Sequence, residues 1–225
     1  MTTVLITGAN RGIGLEFVRQ YAEAGAEVIA CCRHPDSAET LADLAARYPG
    51  RIEVIALDVG DPVQIAAAAA VIGDRPIDIL INNAGVYGPS DTDPEAWLET
   101  FRINAIAPVL VSHALKGNLL RGHDKKLVVI TSQLGSTAKN TGGMYAYRSS
   151  KAALNNVMYG LSRDWAGDGV LIGIFHPGWV KTDMGGKDAP VIPEDSVRGL
   201  RQRIVEMAKA NSGAYRDYAG VALPW

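Results

Sequence analysis

A doubly wound α/β fold on a parallel sheet is what this sequence predicts, and three observations predict it. Short β-branched runs alternate with longer helical patterns along the 225 residues, as in repeated βαβ units. Several runs are apolar at nearly every position, as strands covered by helices on both faces must be. A glycine-rich turn stands between the first run and the first helical pattern.

In chain order the strands fall at 4–6, 28–29, 52–57, 77–81, 127–130 and 170–175, in a sheet of about seven. Helices are expected near 12–25, 36–47, 61–73, 94–116, 145–167 and 194–211, several opened by an Asp or Ser cap or by a Pro in the first turn. The alanine run 66–70 needs no function, because alanine is the strongest helix former and lets a helix sit close to a sheet. No internal repeat, Pro/Gly-rich linker or charge block divides the chain, so residues 1–225 are read as a single domain, with 179–192 as a short binding loop.

Nearly half the residues are apolar, enough for a sizeable core. The net charge of -2 removes the electrostatic footprint of a nucleic-acid or membrane-surface binder. Small molecules or proteins are the expected partners. Cys31 and Cys32 are adjacent, where a mutual disulfide would be strained, and are expected to be packing residues. The opening residues lead straight into a strand without a signal segment, and no apolar run is long enough to span a bilayer, so the cytoplasm is the expected location. His176, His34, His113 and His123 lack ligand spacing, and no metal is expected.

The first turn reads Thr7-Gly8-Ala9-Asn10-Arg11-Gly12-Ile13-Gly14. Gly8, Gly12 and Gly14 permit unusual backbone angles, let the main chain approach a pyrophosphate, and let the helix pack on the strand. The helix N-terminus then offers free N–H groups and a favourable dipole, so the whole turn, with Asn10, Arg11 and Ile13, is expected to hold a dinucleotide.

Tyr147 and Lys151 lie four residues apart on a predicted helix, within ~40° of one another around its axis at ~100° per residue. An ammonium beside a phenol favours the phenolate and is expected to lower the tyrosine pKa. Tyr145, by contrast, points ~240° away from Lys151. Ser132 follows the fifth strand, at the carboxyl edge where open α/β sheets keep their ligands.

The G-x-x-x-G-x-G spacing, with Asn82-Asn83-Ala84-Gly85, Ser132, Tyr147-x-x-x-Lys151 and Pro177-Gly178 in order, resembles the short-chain dehydrogenase/reductase family over essentially the whole chain. That resemblance implies a Rossmann fold and an oxidoreductase acting on CH-OH or C=O groups, with Ser132, Tyr147, Lys151 and Asn104 catalytic. It implies cofactor contacts from Asp58 and Val59, from Asn83, Ala84 and Gly85, from Tyr147 and Lys151, and from Pro177, Gly178, Val180 and Thr182. A helix cap is the competing reading of Asp58. The second strand ends at Cys31-Cys32-Arg33 with no carboxylate for a ribose 2′-hydroxyl, and Arg33, helped by Arg11, suits a 2′-phosphate, so NADP(H) is preferred over NAD(H). Ser132 lies fifteen positions before Tyr147, more than in many members, which leaves their local geometry open.

The runs 142–151 and 179–186 and Leu223-Pro224-Trp225 are similar to the C-factor and sniffer-like carbonyl reductase branch. The function expected is NADPH-dependent reduction of a small hydrophobic aldehyde or ketone, in a pocket that includes Leu134, Tyr145, Trp179 and Met184. The alternative is a nucleotide-binding regulatory or signalling protein with little turnover. Helices 94–116 and 145–167 correspond to those that pair family members, implying a homodimer, with a tetramer as the larger option.

Overall fold

The computed structural model describes residues 1–88 and 92–225. Seven parallel strands form one sheet in the order β3-β2-β1-β4-β5-β6-β7. They are β1 (Thr3–Thr7), β2 (Glu27–Cys32), β3 (Ile52–Ala56), β4 (Ile79–Asn82), β5 (Lys126–Ile130), β6 (Leu171–His176) and β7 (Tyr215–Asp217). The order reverses between β1 and β4, which opens a crevice at their carboxyl ends.

Helices α1 (Gly12–Glu23), α2 (Glu39–Arg47), α3 (Pro62–Ile72), α4 (Pro94–Phe101), α5 (Ala107–Ala114), α6 (Lys116–Arg121), α7 (Tyr145–Asp164) and α8 (Pro193–Val205) connect them. Alternate strand residues feed two cores. Leu5, Ile29, Leu80, Leu127 and Ile172 pack against α3, α5 and α7, whereas Val4, Ile6, Val28, Ile81 and Val128 pack against α1, α2 and α8. Both free cysteines are buried, Cys31 in the first core and Cys32 in the second.

Three expectations change. The single helix expected at 94–116 is α4 and α5 joined by a π turn at Arg102–Ile106, closed by a bond from the Ala107 N–H to the Arg102 carbonyl. Pro108 explains the break in α-helical regularity, because it has no N–H to give the carbonyl of Asn104. The expected helix 194–211 ends at Val205, and Lys209–Asn211 is a separate 3-10 turn before β7. Finally, α3 is capped by Asp61, whose carboxylate accepts from the Val63 N–H at 2.8 Å, while Asp58 accepts from the Gly60 N–H at 2.9 Å. Asp58 is therefore not the helix cap. Among the described residues no helix is long and apolar enough to cross a membrane.

Candidate active site

A cleft of about 780 Å³ opens at the crevice between β1 and β4. Its floor is the glycine turn. Gly8 adopts φ +65, and a Cβ there would sit 2.9 Å from the Ala84 Cα; one on Gly14 would meet the Gly8 carbonyl at 2.1 Å. Only glycine fits either place. Asn83 locks the turn by donating from Nδ2 to the Thr7 and Gly8 carbonyls at 2.9 and 3.1 Å. The Thr7 hydroxyl in turn accepts from the Asn83 and Ala84 N–H groups, both at 3.1 Å.

Helix α1 begins here with no side-chain cap and no acidic residue in its first turn. Its first N–H groups therefore face the cleft as an anion site. Gly8, Asn10, Arg11, Gly12, Ile13 and Gly14 line this end, and Arg33, Asp58, Val59, Asn83, Ala84 and Gly85 continue the wall. Arg33 extends from the tip of β2 and is exposed. Arg11 pairs instead with Asp183 at 3.3 Å, across the cleft mouth. A trench floored by glycines and ending at the exposed Arg33 guanidinium fits a phosphorylated dinucleotide.

At the other end Tyr147, Lys151, Ile130 and Thr131 line the cleft. Both Tyr147 and Lys151 are buried on the inner face of α7. The Ser132 hydroxyl stands near enough to the phenol to favour its charged form, and Ser132 caps the 3-10 turn Gln133–Gly135 by accepting from the Leu134 N–H at 3.2 Å. Lys151 Nζ donates to the Ile130 carbonyl at 3.0 Å and stands 5.9 Å from the Tyr147 ring centre.

The expected lowering of the phenol pKa is not what this arrangement gives. Burial pushes Tyr147 up to about 12, against the opposing hydrogen bond from Ser132. Burial also pushes the Lys151 ammonium down to about 8. Burial thus favours the protonated phenol over the phenolate.

Asn104 is fully buried in the π turn. Its Oδ1 accepts from the Val86 N–H at 2.9 Å, and its Nδ2 donates to the Val86 carbonyl at 2.8 Å and to Ser150 Oγ at 3.1 Å. Both amide protons are committed, and Pro108 deprives the Asn104 main-chain carbonyl of its helical donor.

Pro177 and Thr182 line the cleft from the far side, and a Cβ on Gly12 would lie 3.3 Å from Thr182 Cγ2. Gly178 takes φ +88 beneath the Tyr218 ring, and Val180 is buried and bridges to Val191. A short-chain dehydrogenase model matches residues 2–191. This chain belongs to the short-chain dehydrogenase/reductase family of oxidoreductases.

The C-signal of Myxococcus xanthus is 44% identical over 164 residues, 71% of this chain and 99% of that protein. An NADPH-bound carbonyl reductase from chicken fatty liver superposes with TM-score 0.94 at 33% identity, covering 100% of this chain and 99% of that one. The carbonyl reductase Sniffer of D. melanogaster gives TM-score 0.90 at 31% identity, with both chains covered in full.

Within this short-chain dehydrogenase/reductase, of the four residues expected in the substrate pocket Met184 lines the cleft, and Leu134 lies in the 3-10 turn that Ser132 caps. Tyr145 is 58% exposed on the outer side of α7, and the Trp179 indole is tied to its own loop by a 2.7 Å bond to the Gly185 carbonyl. Tyr87 stacks on the Tyr147 ring, 4.9 Å between centres. Sequence patterns missed Tyr215, on a three-residue strand with no readable period, whose Oη donates to the Ser132 carbonyl at 2.6 Å.

Proposed function

We propose that this oxidoreductase uses NADPH to reduce a small hydrophobic aldehyde or ketone to the alcohol. What supports this is that Tyr147 and Lys151 line one end of a cleft whose other end is the glycine turn, with Ser132 directly after the cleft residues Ile130 and Thr131. When bound, the nicotinamide cofactor supplies the hydride. Gly8, Gly12 and Gly14 with the α1 N-terminus would hold its pyrophosphate, Asp58 and Val59 its adenine, Arg33 its 2′-phosphate, and Val180 and Thr182 the carboxamide. Lys151 would hold the ribose hydroxyls from its buried ammonium.

Ser132 donates a hydrogen bond to the carbonyl oxygen, and Tyr147 passes its proton to that oxygen as charge develops there. A phenol that stays protonated at neutral pH suits this direction of reaction. Asn104 would keep a water near Lys151 to replace the proton. Met184, Val86 and Tyr87 supply apolar surface beside the reacting end. NADPH in the chicken enzyme is consistent with the exposed Arg33 of this chain.

Tyr147→Phe removes the proton donor and leaves the ring stacked on Tyr87. Carbonyl-dependent NADPH oxidation is expected to fall by about a thousandfold while NADPH still binds, a loss on the scale of general acid catalysis. Full turnover by that variant overturns the assignment. The likeness to the C-signal favours a second reading, in which cofactor occupancy rather than turnover is the output. NADPH binding without turnover on any member of a carbonyl panel would select it.

A further inference from the structure

We propose that Tyr215 is a positioning residue that aims the Ser132 hydroxyl at the reacting oxygen. This rests on the reading of Ser132 as the hydrogen-bond donor to the carbonyl. Ser132 holds extended backbone angles, φ -147 and ψ 145, so its Cβ direction follows the orientation of the flanking peptide planes. The plane on its carboxyl side is fixed twice. Its carbonyl accepts from the Gly135 N–H at 2.9 Å, which closes the 3-10 turn, and from the Tyr215 Oη at 2.6 Å.

A carbonyl has two acceptor sites, and the two donors fill them. The turn bond is local and allows the segment to swing as a unit. The phenol comes from a strand 83 residues away and ties that unit to the sheet. Thr131, one residue earlier, is held in the same way: its hydroxyl donates to Asn155 Oδ1 on α7 at 2.6 Å. The Tyr215 ring is itself backed by Trp225, 5.3 Å between centres, and the Trp225 main-chain oxygen accepts from the Ala138 N–H at 3.0 Å. The segment carrying Ser132 is therefore tied to β7, to α7 and to Trp225.

Tyr215→Phe keeps the ring and its packing and leaves the Ser132 carbonyl bonded to Gly135, so the variant is expected to fold. The test is a double-mutant cycle with Ser132→Ala, measuring kcat for carbonyl reduction and KM for NADPH. Ser132→Ala should lower kcat by about a hundredfold or more, as loss of an oxyanion donor does. Tyr215→Phe should lower kcat by about tenfold, a misalignment cost, with KM for NADPH unchanged. In the Ser132→Ala background Tyr215→Phe should cost nothing further.

A Tyr215→Phe effect that multiplies fully with Ser132→Ala, or no effect on kcat, overturns the positioning role and leaves the catalytic reading standing. Unchanged kcat in Ser132→Ala overturns both. Should Tyr215→Phe lose its native circular dichroism, Trp225→Ala supplies the second test. It leaves the Oη in place but removes its backing, and the same non-additivity with Ser132→Ala is expected; full multiplication again overturns the proposal.

Discussion

Residue by residue, burial decides the electrostatics of the site. Burial lowers the Lys151 ammonium to about 8 and raises the Tyr147 phenol to about 12. For a buried ammonium whose pKa is depressed, the charged form is the one lost as pH rises. If that ammonium holds the ribose hydroxyls, kcat/KM for NADPH should be level from about pH 6 to 7.5 and fall through about pH 8, since this parameter reports the free enzyme. A profile still level at pH 9.5 counts against Lys151 as the holding group. Arg33 offers a second test. Arg33→Ala should cost NADPH about 2 kcal/mol, roughly thirtyfold in kcat/KM, and leave NADH nearly unaffected, because the lost interaction is a charge-assisted bond to a group NADH lacks. Equal losses for both cofactors would remove Arg33 from the 2′-phosphate site. Tyr147 and Lys151 were legible at this scale because helical period alone puts them on one face. Their protonation was not, because burial depends on how the whole sheet is covered.

At the scale of elements, the glycine turn and the π turn explain most of what spacing could and could not tell. The turn from Gly8 to Gly14 declares itself by composition, and the steric reason appears only in the structure, where Gly14 has no room for a methyl group beside the Gly8 carbonyl. Gly14→Ala should therefore destabilise the protein by about 2 kcal/mol, the usual cost of overpacking, and weaken NADPH binding by more than tenfold. Thermal unfolding and a fluorescence titration measure the two effects, and an unchanged affinity would separate the turn from the cofactor. The stretch 94–116 carried an unbroken helical pattern, yet Pro108 imposes a π turn that buries Asn104. Apolar periodicity sees side chains, and the missing N–H of a proline is a main-chain fact. Strand β7 was missed for a related reason: three residues are too few to show a period.

For the whole molecule, the alternation of strands and helices was enough to anticipate a parallel, doubly wound sheet, because both of its faces must be covered. The path of the loop carrying Trp179 and Met184 was not, since no periodicity records it. Assembly belongs to this scale as well. Leu98, Ile106, Leu110 and Val157 are exposed apolar side chains on the α4–α5 region and α7. A homodimer that buries these helices should elute at about twice the 23.9 kDa chain mass, and Ile106→Glu with Val157→Glu should shift it to monomer. Light scattering after size exclusion checks this; a wild-type monomer at micromolar concentration would refute it. The knot of Thr7, Gly8, Asn83 and Ala84 has a consequence for anyone redesigning the protein. Segments some seventy-five residues apart in the chain share one set of bonds with no slack between backbones, so neither can be exchanged for a homologous piece alone. Chimeras that inherit both from one parent should fold, and those that split them between parents should not.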